Sequence, residues 1–168
     1  MPISRSSDAA DAMVARVDYP MFVVTVADGG EASGCLAGFV TQCSIEPARF
    51  LVCISKENHT FPVAARASGL GLHLLGADQQ PMAALFGELT GDRIDKLALV
   101  DWRPGRSGAP VLPECAAWVE GRILSRVDLG DHVGHLIEVV DGGAGSHRGQ
   151  LDFTQVTDLD PGHPVGGG

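Results

Sequence analysis

The sequence lacks an excess of basic residues and lacks long apolar runs. Its 168 residues carry 12 Lys and Arg against 21 Asp and Glu, a formal net charge of −9. This balance argues against nucleic acid or an anionic membrane as the main partner, because both need a basic surface. No apolar run reaches the roughly 20 residues of a membrane span, and residues 1–17 lack the apolar centre of a signal peptide. We therefore expect a cytoplasmic protein.

Cysteine is scarce and not spaced as in a metal site. The four cysteines, Cys35, Cys43, Cys53 and Cys115, include no CxxC pair, so the spacing favours neither a zinc site nor a disulfide framework. We expect reduced thiols, most of them buried, and no bound metal. Aromatic residues are also few, at 5%.

Apolar, β-branched segments separated by turn residues are what the sequence does contain, and they predict strands. The predicted strands span residues 21–27, 32–45 (one or two strands with a break at Gly38), 50–55, 70–76, 114–128, 132–140 and 149–156. Helices are predicted at 8–17, at 58–69 after a cap at Asn58 or Thr60, and at 78–87 after a cap at Asp78. A long loop at 88–113 is a candidate cover for a functional site.

Many strands with short connections and no regular βαβ alternation predict a mainly β protein, a closed antiparallel barrel with a few short helices. The length suits a single domain. We expect an N-terminal arm or short helix at 1–16, the barrel domain at 17–158 and a loose tail at 159–168.

Two histidines lie three residues apart in "GDHVGHLIEVV". On a strand, His132 and His135 point to opposite faces, so they cannot share one metal ion. His132 follows a turn and Asp131, which can fix its ring, and is a candidate functional residue. His135 is interpreted as a half-buried histidine of the strand.

A candidate anion site follows the strand at 50–55. The strand ends at Ser55, and Lys56, Asn58, His59 and Thr60 follow at once where the next helix begins. A helix N-terminus offers free N–H groups, and a lysine, an amide and hydroxyls beside it suit a phosphate. The alternative is ordinary capping beside an exposed lysine. Neither GxGxxG nor GxxxxGK[ST] is placed as a nucleotide site requires.

Several ordered segments resemble the flavin reductase-like family, which has the FMN-binding split-barrel fold. They are "YPMFVVTVADGGEASG", "GFVTQCSIEPARFLVCISKENHT", "LFGELTGD", "WRPGRSGAPVL" and "GDH" at the start of a strand. Together they cover nearly all of residues 17–157, and in detail they resemble an actinobacterial branch of the family.

The resemblance implies roles for particular residues. Leu36, Ala37, Gly38, Phe39, Val40 and Thr41 would line the flavin ring, largely through backbone groups. Ser55, Lys56, His59 and Thr60 would hold the flavin phosphate, and Asn58 belongs to the same anion site. His132 would lie near the flavin and the nicotinamide, and Phe86 and Trp102 would border the pocket.

The implied activity is transfer of hydride from NADH or NADPH to FMN, with FAD as the other candidate flavin, and delivery of reduced flavin to a partner monooxygenase. A homodimer is implied as well. NADH is the default because the sequence offers no obvious arginine pair for a 2′-phosphate. His132 would orient the nicotinamide or tune the protonation of the ring.

The segment Leu36-Ala37-Gly38-Phe39 departs from the Thr-x-Asn-Ser of many family members. Polar side chains for the ring edge are absent, so Gly38 would admit the flavin to the backbone, and Phe39 would either stack on the ring or fill part of the pocket. The departure also favours a second hypothesis, a non-catalytic module that binds FMN or a related ligand such as a deazaflavin or heme. A third hypothesis is a split barrel without cofactor that serves as an interaction domain.

Overall fold

The computed structural model describes residues 5–88 and 95–159. Residues 1–4 of the predicted arm, 89–94 of the predicted loop and 160–168 of the predicted tail lie outside this part. The helices are α1 (Arg5–Val14), α2 (Thr60–Arg66) and α3 (Gln80–Glu88), with 3-10 helices at Lys96–Leu99 and Phe153–Gln155. The strands are β1 (Phe22–Asp28), β2 (Glu31–Ala37), β3 (Val40–Ser44), β4 (Arg49–Ser55), β5 (Gly69–Leu74), β6 (Arg103–Pro104), β7 (Pro110–Val111), β8 (Ala117–Asp128) and β9 (His132–Ala144).

Seven strands form one antiparallel sheet in the order β2-β1-β5-β8-β9-β4-β3, and β6 pairs with β7 separately. The edge strands β2 and β3 are consecutive in the chain, and β2 also contacts β4. The sheet therefore curls until its two edges approach each other. This confirms the antiparallel barrel expected from the sequence, with a gap between β2 and β3 where the barrel is split.

The first hairpin shows how local sequence sets the register. Gly29 and Gly30 both have positive φ, 57° and 84°, as a two-residue turn between twisted strands requires. The turn pairs Asp28 with Glu31, and the ladder runs from there to Phe22 opposite Ala37. The far end of β2 is thereby placed next to the start of β1, at the split of the barrel.

Two apolar clusters form the core. One lies between the sheet and α2 and includes Val24, Val52, Ile54, Val63 and Ile137. The other packs α3 against β1 and the C-terminal 3-10 helix, and its buried side chains are Met21, Val23, Leu75, Ala83, Phe86, Leu97, Leu112, Leu151 and Val156.

Two buried polar residues fasten the segment that carries β6 and β7. Glu120 accepts hydrogen bonds from the backbone N–H of Arg106 and from Ser107 Oγ. His73 contacts Val23 O through Nδ1 and accepts from Leu112 N through Nε2, each at 3.0 Å. Burial lowers the pKa of His73 to about 4, so the ring is neutral and its proton lies on Nδ1.

Three sequence expectations are wrong in detail. A strand is predicted at 149–156, but Phe153–Gln155 is a 3-10 helix closed by a capping box from Asp152. The expected turn after residue 140 belongs to β9, which continues to Ala144. Asp78, expected to cap the helix predicted at 78–87, has its carboxylate 2.9 Å from His147 Nδ1, and α3 begins only at Gln80.

Candidate functional site

A cavity of about 380 Å³ opens at the split of the barrel. It is named here the histidine cavity. Its walls are the end of β2, the turn to β3, the end of β4, the β8–β9 turn and two terminal segments of the domain. The lining residues are Tyr19, Met21, Cys35, Leu36, Ala37, Gly38, Phe39, Cys53, Ile54, Ser55, Asn58, Asp131, His132 and Phe153.

Half of the residues expected at the site meet in this cavity. They are Leu36, Ala37, Gly38, Phe39, Ser55, Asn58 and His132. The sheet brings them together because β4 and β9 are antiparallel neighbours with Ser55 directly opposite His132. The β2–β3 turn reaches the same place because Cys53 N, in β4, donates to Phe39 O at 2.9 Å.

His132 is held by the residue before it. Its Nδ1 lies 2.7 Å from Asp131 Oδ1, and a carboxylate can only accept, so the proton of this contact belongs to the ring. The same hydrogen bond lowers the pKa of the Asp131 carboxyl. The turn that presents both residues contains Gly130 at φ 128°. Nε2 of His132 is therefore the nitrogen left for a ligand, as an acceptor in the neutral ring or a donor in the protonated ring.

Aromatic rings form a continuous row along the cavity. Phe153 stacks on Tyr19 at 4.8 Å between centroids, Tyr19 lies 6.1 Å from Phe39, and Phe39 lies 5.0 Å from His132. Sequence reasoning missed Tyr19 and Phe153 as site residues. No local signal marks them, because one precedes β1 and the other follows β9, and only the fold brings them together.

The turn between β2 and β3 fits a ring with polar edges. Val40 N donates to Gly38 O, and Cys53 N donates to Phe39 O. In the described part of the chain, the N–H groups of Gly38 and Phe39 make no hydrogen bond. Two unused donors beside an aromatic row are what the edge and face of a flavin ring can use, so the residues present fit a flavin.

The residues expected to bind the flavin phosphate are only partly brought together. Lys56 Nζ contacts Asp128 at 3.0 and 3.1 Å, and Lys56 does not line the cavity. Thr60 is fully buried and its hydroxyl bonds Ser33 Oγ at 2.7 Å. Asn58 Oδ1 accepts from Thr60 N at 2.9 Å. The role of these residues toward a phosphate stays a prediction.

His59 and Trp102 lie in a second cavity of about 450 Å³. It is named here the lysine cavity, and its lining residues are Gly30, Glu31, Ala32, Ser33, Gly34, His59, Asp95, Lys96, Leu97, Ala98 and Trp102. Lys96 is largely buried and its Nζ donates to Phe86 O at 2.8 Å. Burial also lowers the pKa of Lys96.

The other expected residues lie in neither cavity. Phe86 is in the core, Val40 packs against the other apolar cluster, and Thr41 is exposed on β3. His135 is fully buried on the opposite face of β9 from His132. Its Nδ1 lies near Val52 O and Val133 O, and burial lowers the pKa of this ring. The two histidines are separate, as their spacing predicts.

The family model described as "Flavin reductase like domain" matches residues 14–156. The chain belongs to the flavin reductase-like family. Among solved structures, the NADH:FAD oxidoreductase SgcE6 of Streptomyces globisporus C-1027 is similar with a TM-score of 0.79 and 25% identity, over 91% of this chain and 92% of that one. That protein has also been solved in complex with NAD and FAD fragments.

Two sequence relatives extend the comparison. The 4-hydroxyphenylacetate 3-monooxygenase reductase component of Klebsiella oxytoca is 30% identical over 132 residues, 77% of this chain and 76% of the relative. A probable flavin reductase of Rhizobium meliloti is 33% identical over 112 residues, 66% of this chain. The matched part is only 35% of that longer relative.

No helix among residues 5–88 and 95–159 has the length and apolar character to cross a membrane. In the same ranges, no three His, Cys, Asp or Glu side chains are grouped to hold a metal ion. The four cysteines form no disulfide, and Cys43 is the exposed one among them.

Proposed function

We propose that this protein is a flavin reductase that binds FMN in the histidine cavity and reduces it with NADH or NADPH. The observation that carries the proposal is the cavity itself. In a barrel of the flavin reductase-like family, it combines two unused backbone donors, a row of aromatic rings and a histidine with one fixed nitrogen. FAD is the alternative flavin, and NADH is the expected reductant.

Binding would use the backbone more than side chains. The N–H groups of Gly38 and Phe39 would donate to the ring edge, and the aromatic rings would contact its apolar surface and exclude water. Ser55 and Asn58 line the cavity, and Lys56 lies between them in the sequence. We therefore place the phosphate end of FMN toward these residues.

His132 would act on the nicotinamide side. Bound flavin supplies the redox chemistry by taking up a hydride from the reduced nicotinamide. Asp131 fixes the ring of His132 through Nδ1, and Nε2 would orient the nicotinamide amide or exchange a proton at the ring. A fixed ring lowers the cost of orienting the reactants, because its orientation is set before they bind.

The proposal includes a wider setting. Reduced flavin would pass to a partner monooxygenase, because one relative is named as the reductase component of such an enzyme. The family resemblance supports a homodimer and a cytoplasmic location. Sedimentation velocity of the purified chain would measure the first of these directly.

The test is an anaerobic absorbance titration. Protein purified without added cofactor receives FMN or FAD, and then NADH or NADPH. A perturbed flavin spectrum that bleaches with a reduced nicotinamide is expected. Flavin that binds but does not bleach with either nicotinamide supports the alternative, a non-catalytic flavin module, and the absence of flavin binding contradicts both.

A further inference from the structure

Tyr19 is fixed in the wall of the histidine cavity by two contacts to Phe153 and by the contacts of the preceding residue. Its carbonyl accepts from Phe153 N at 2.8 Å, and its ring stacks on Phe153 at an interplanar angle of 17°. The preceding residue, Asp18, accepts from Thr154 N and Thr154 Oγ1 at 3.1 and 2.8 Å. The ring position of Tyr19 is therefore set before any ligand arrives.

The position of Tyr19 explains why residue 38 is a glycine. A Cβ at position 38 would come closer to Tyr19 Cε2 than real Cβ atoms approach any heavy atom, and it would also lie 3.0 Å from Tyr19 Cδ2 and 3.2 Å from Met21 Sδ. Gly38 is not among the glycines with positive φ, so its backbone conformation does not demand glycine. The missing side chain makes room for Tyr19, and this differs from the expectation that it makes room for the flavin.

Phe39 completes the surface beside Tyr19. Its side chain is 52% exposed, and its ring lies 6.1 Å from that of Tyr19. An exposed phenylalanine at the mouth of a cavity offers apolar area that a planar ligand can cover. Burial raises the pKa of Tyr19, so the phenol stays neutral at ordinary pH and does not oppose contact with an apolar ring.

We propose that Tyr19 and Phe39 form the surface on which the flavin ring packs, and that Gly38 is required at its position because Tyr19 occupies the adjacent space. Tyr19 is thus a residue that determines affinity for the ring. This inference rests on the proposed function. It goes beyond that function by assigning affinity for the ring to Tyr19, a residue outside the β2–β3 turn, together with Phe39.

The test measures flavin binding by fluorescence quenching with two ligands, FMN and lumiflavin, which has the ring but no ribityl phosphate. Tyr19→Leu is expected to weaken both ligands by the same factor, about tenfold, as loss of an aromatic stacking partner does. Phe61→Leu, in α2 and outside both cavities, is the matched control and is expected to bind both ligands like the parent protein.

A double-mutant cycle tests the role of Gly38. Gly38→Ala is expected to weaken lumiflavin about as much as Tyr19→Leu, because the new methyl group displaces the Tyr19 ring. In a Tyr19→Leu background, Gly38→Ala is expected to have little further effect. Equal losses in the two backgrounds would show that Gly38 acts independently of Tyr19, which overturns that part of the inference.

Phe39→Leu keeps the test decisive if the tyrosine variant folds poorly, because Phe39 is half exposed. It is expected to weaken both ligands severalfold at an unchanged melting temperature. If the parent protein binds flavin and neither Tyr19→Leu nor Phe39→Leu changes lumiflavin affinity, the inference is wrong while the proposed function stands. If the parent protein binds no flavin, the proposed function fails first.

Discussion

The histidine cavity and the lysine cavity share strand β2 but differ in how the histidine of one and the lysine of the other are engaged. In the lysine cavity, Lys96 donates to Phe86 O, Ser33 bonds Thr60, and Glu31 pairs with Arg66. In the histidine cavity, Asp131 fixes one nitrogen of His132 and leaves the other available. Lys96 and the groups around it therefore hold the fold, whereas His132 is positioned toward a ligand.

The largest expected effect is on turnover in the histidine cavity. His132→Ala is expected to lower the rate of NADH oxidation with FMN by about 100-fold, as loss of a positioned proton-transfer group does, and to change flavin affinity much less. Steady-state kinetics and a flavin titration measure the two quantities. His147→Ala is the matched control, because His147 also contacts a carboxylate at 2.9 Å, that of Asp78, but lies outside both cavities. Equal turnover in His132→Ala would remove this histidine from the mechanism.

The lysine cavity should respond in stability instead. Lys96→Ala removes a buried charged donor from Phe86 O and leaves that carbonyl unsatisfied, so the free energy of unfolding is expected to fall by about 2 kcal/mol. Urea denaturation of the flavin-free protein measures it. Lys56→Ala, which removes an exposed lysine, is the control and should unfold at nearly the parent midpoint. If the Lys96→Ala variant kept the parent stability but bound flavin weakly, Lys96 would act on the ligand and not on the fold.

The expected phosphate contact gives a smaller effect. Lys56→Ala is expected to weaken FMN about tenfold, the loss of one hydrogen bond to a charged group, and to leave riboflavin, which has no phosphate, unchanged. Isothermal titration with both ligands gives the ratio. Equal changes for the two flavins, or none, would place the phosphate away from Lys56.

The smallest expected effect concerns Asp128, the carboxylate that pairs with Lys56. Hydrogen bonding from Lys56 lowers the pKa of Asp128, and Asp128→Asn would free the lysine for a phosphate. FMN affinity is expected to rise about twofold, since exposed ion pairs are weak, while riboflavin affinity stays the same. Weaker FMN binding in this variant would mean that Asp128 positions Lys56 and does not compete for it.

Sequence reasoning predicted most strands because their signals are local. The apolar runs at 21–27 and 50–55 and the paired glycines at 29 and 30 determine strands and turn with little help from the rest of the chain. At 149–156 the backbone pairing is confined to the start of the segment, where Met21 N donates to Leu151 O, Leu151 N donates to Leu75 O, and an isolated bridge joins Pro20 to Asp152. The residues that follow form a 3-10 helix closed by the capping box of Asp152.

The site could be predicted only where its residues are neighbours in sequence. Asp131 beside His132 and the turn from Leu36 to Phe39 were expected and lie in one cavity. Tyr19 and Phe153 could not be predicted, because their stacking depends on tertiary structure. Trp102 and His132 lie in different cavities, because the start of β2 lines one cavity and its end lines the other. No spacing in the sequence reveals this.

The contacts between residues 17–20 and 151–156 link ligand binding to resistance against proteolysis. Asp18 is held by Thr154, and Tyr19 by Phe153, at the rim of the histidine cavity. A ligand packed on Tyr19 would add its binding free energy to the docking of both segments, which otherwise open most easily. Flavin in the solution would then slow trimming by proteases at residues 17–20 and 151–156 together, although these segments lie at opposite ends of the barrel sequence.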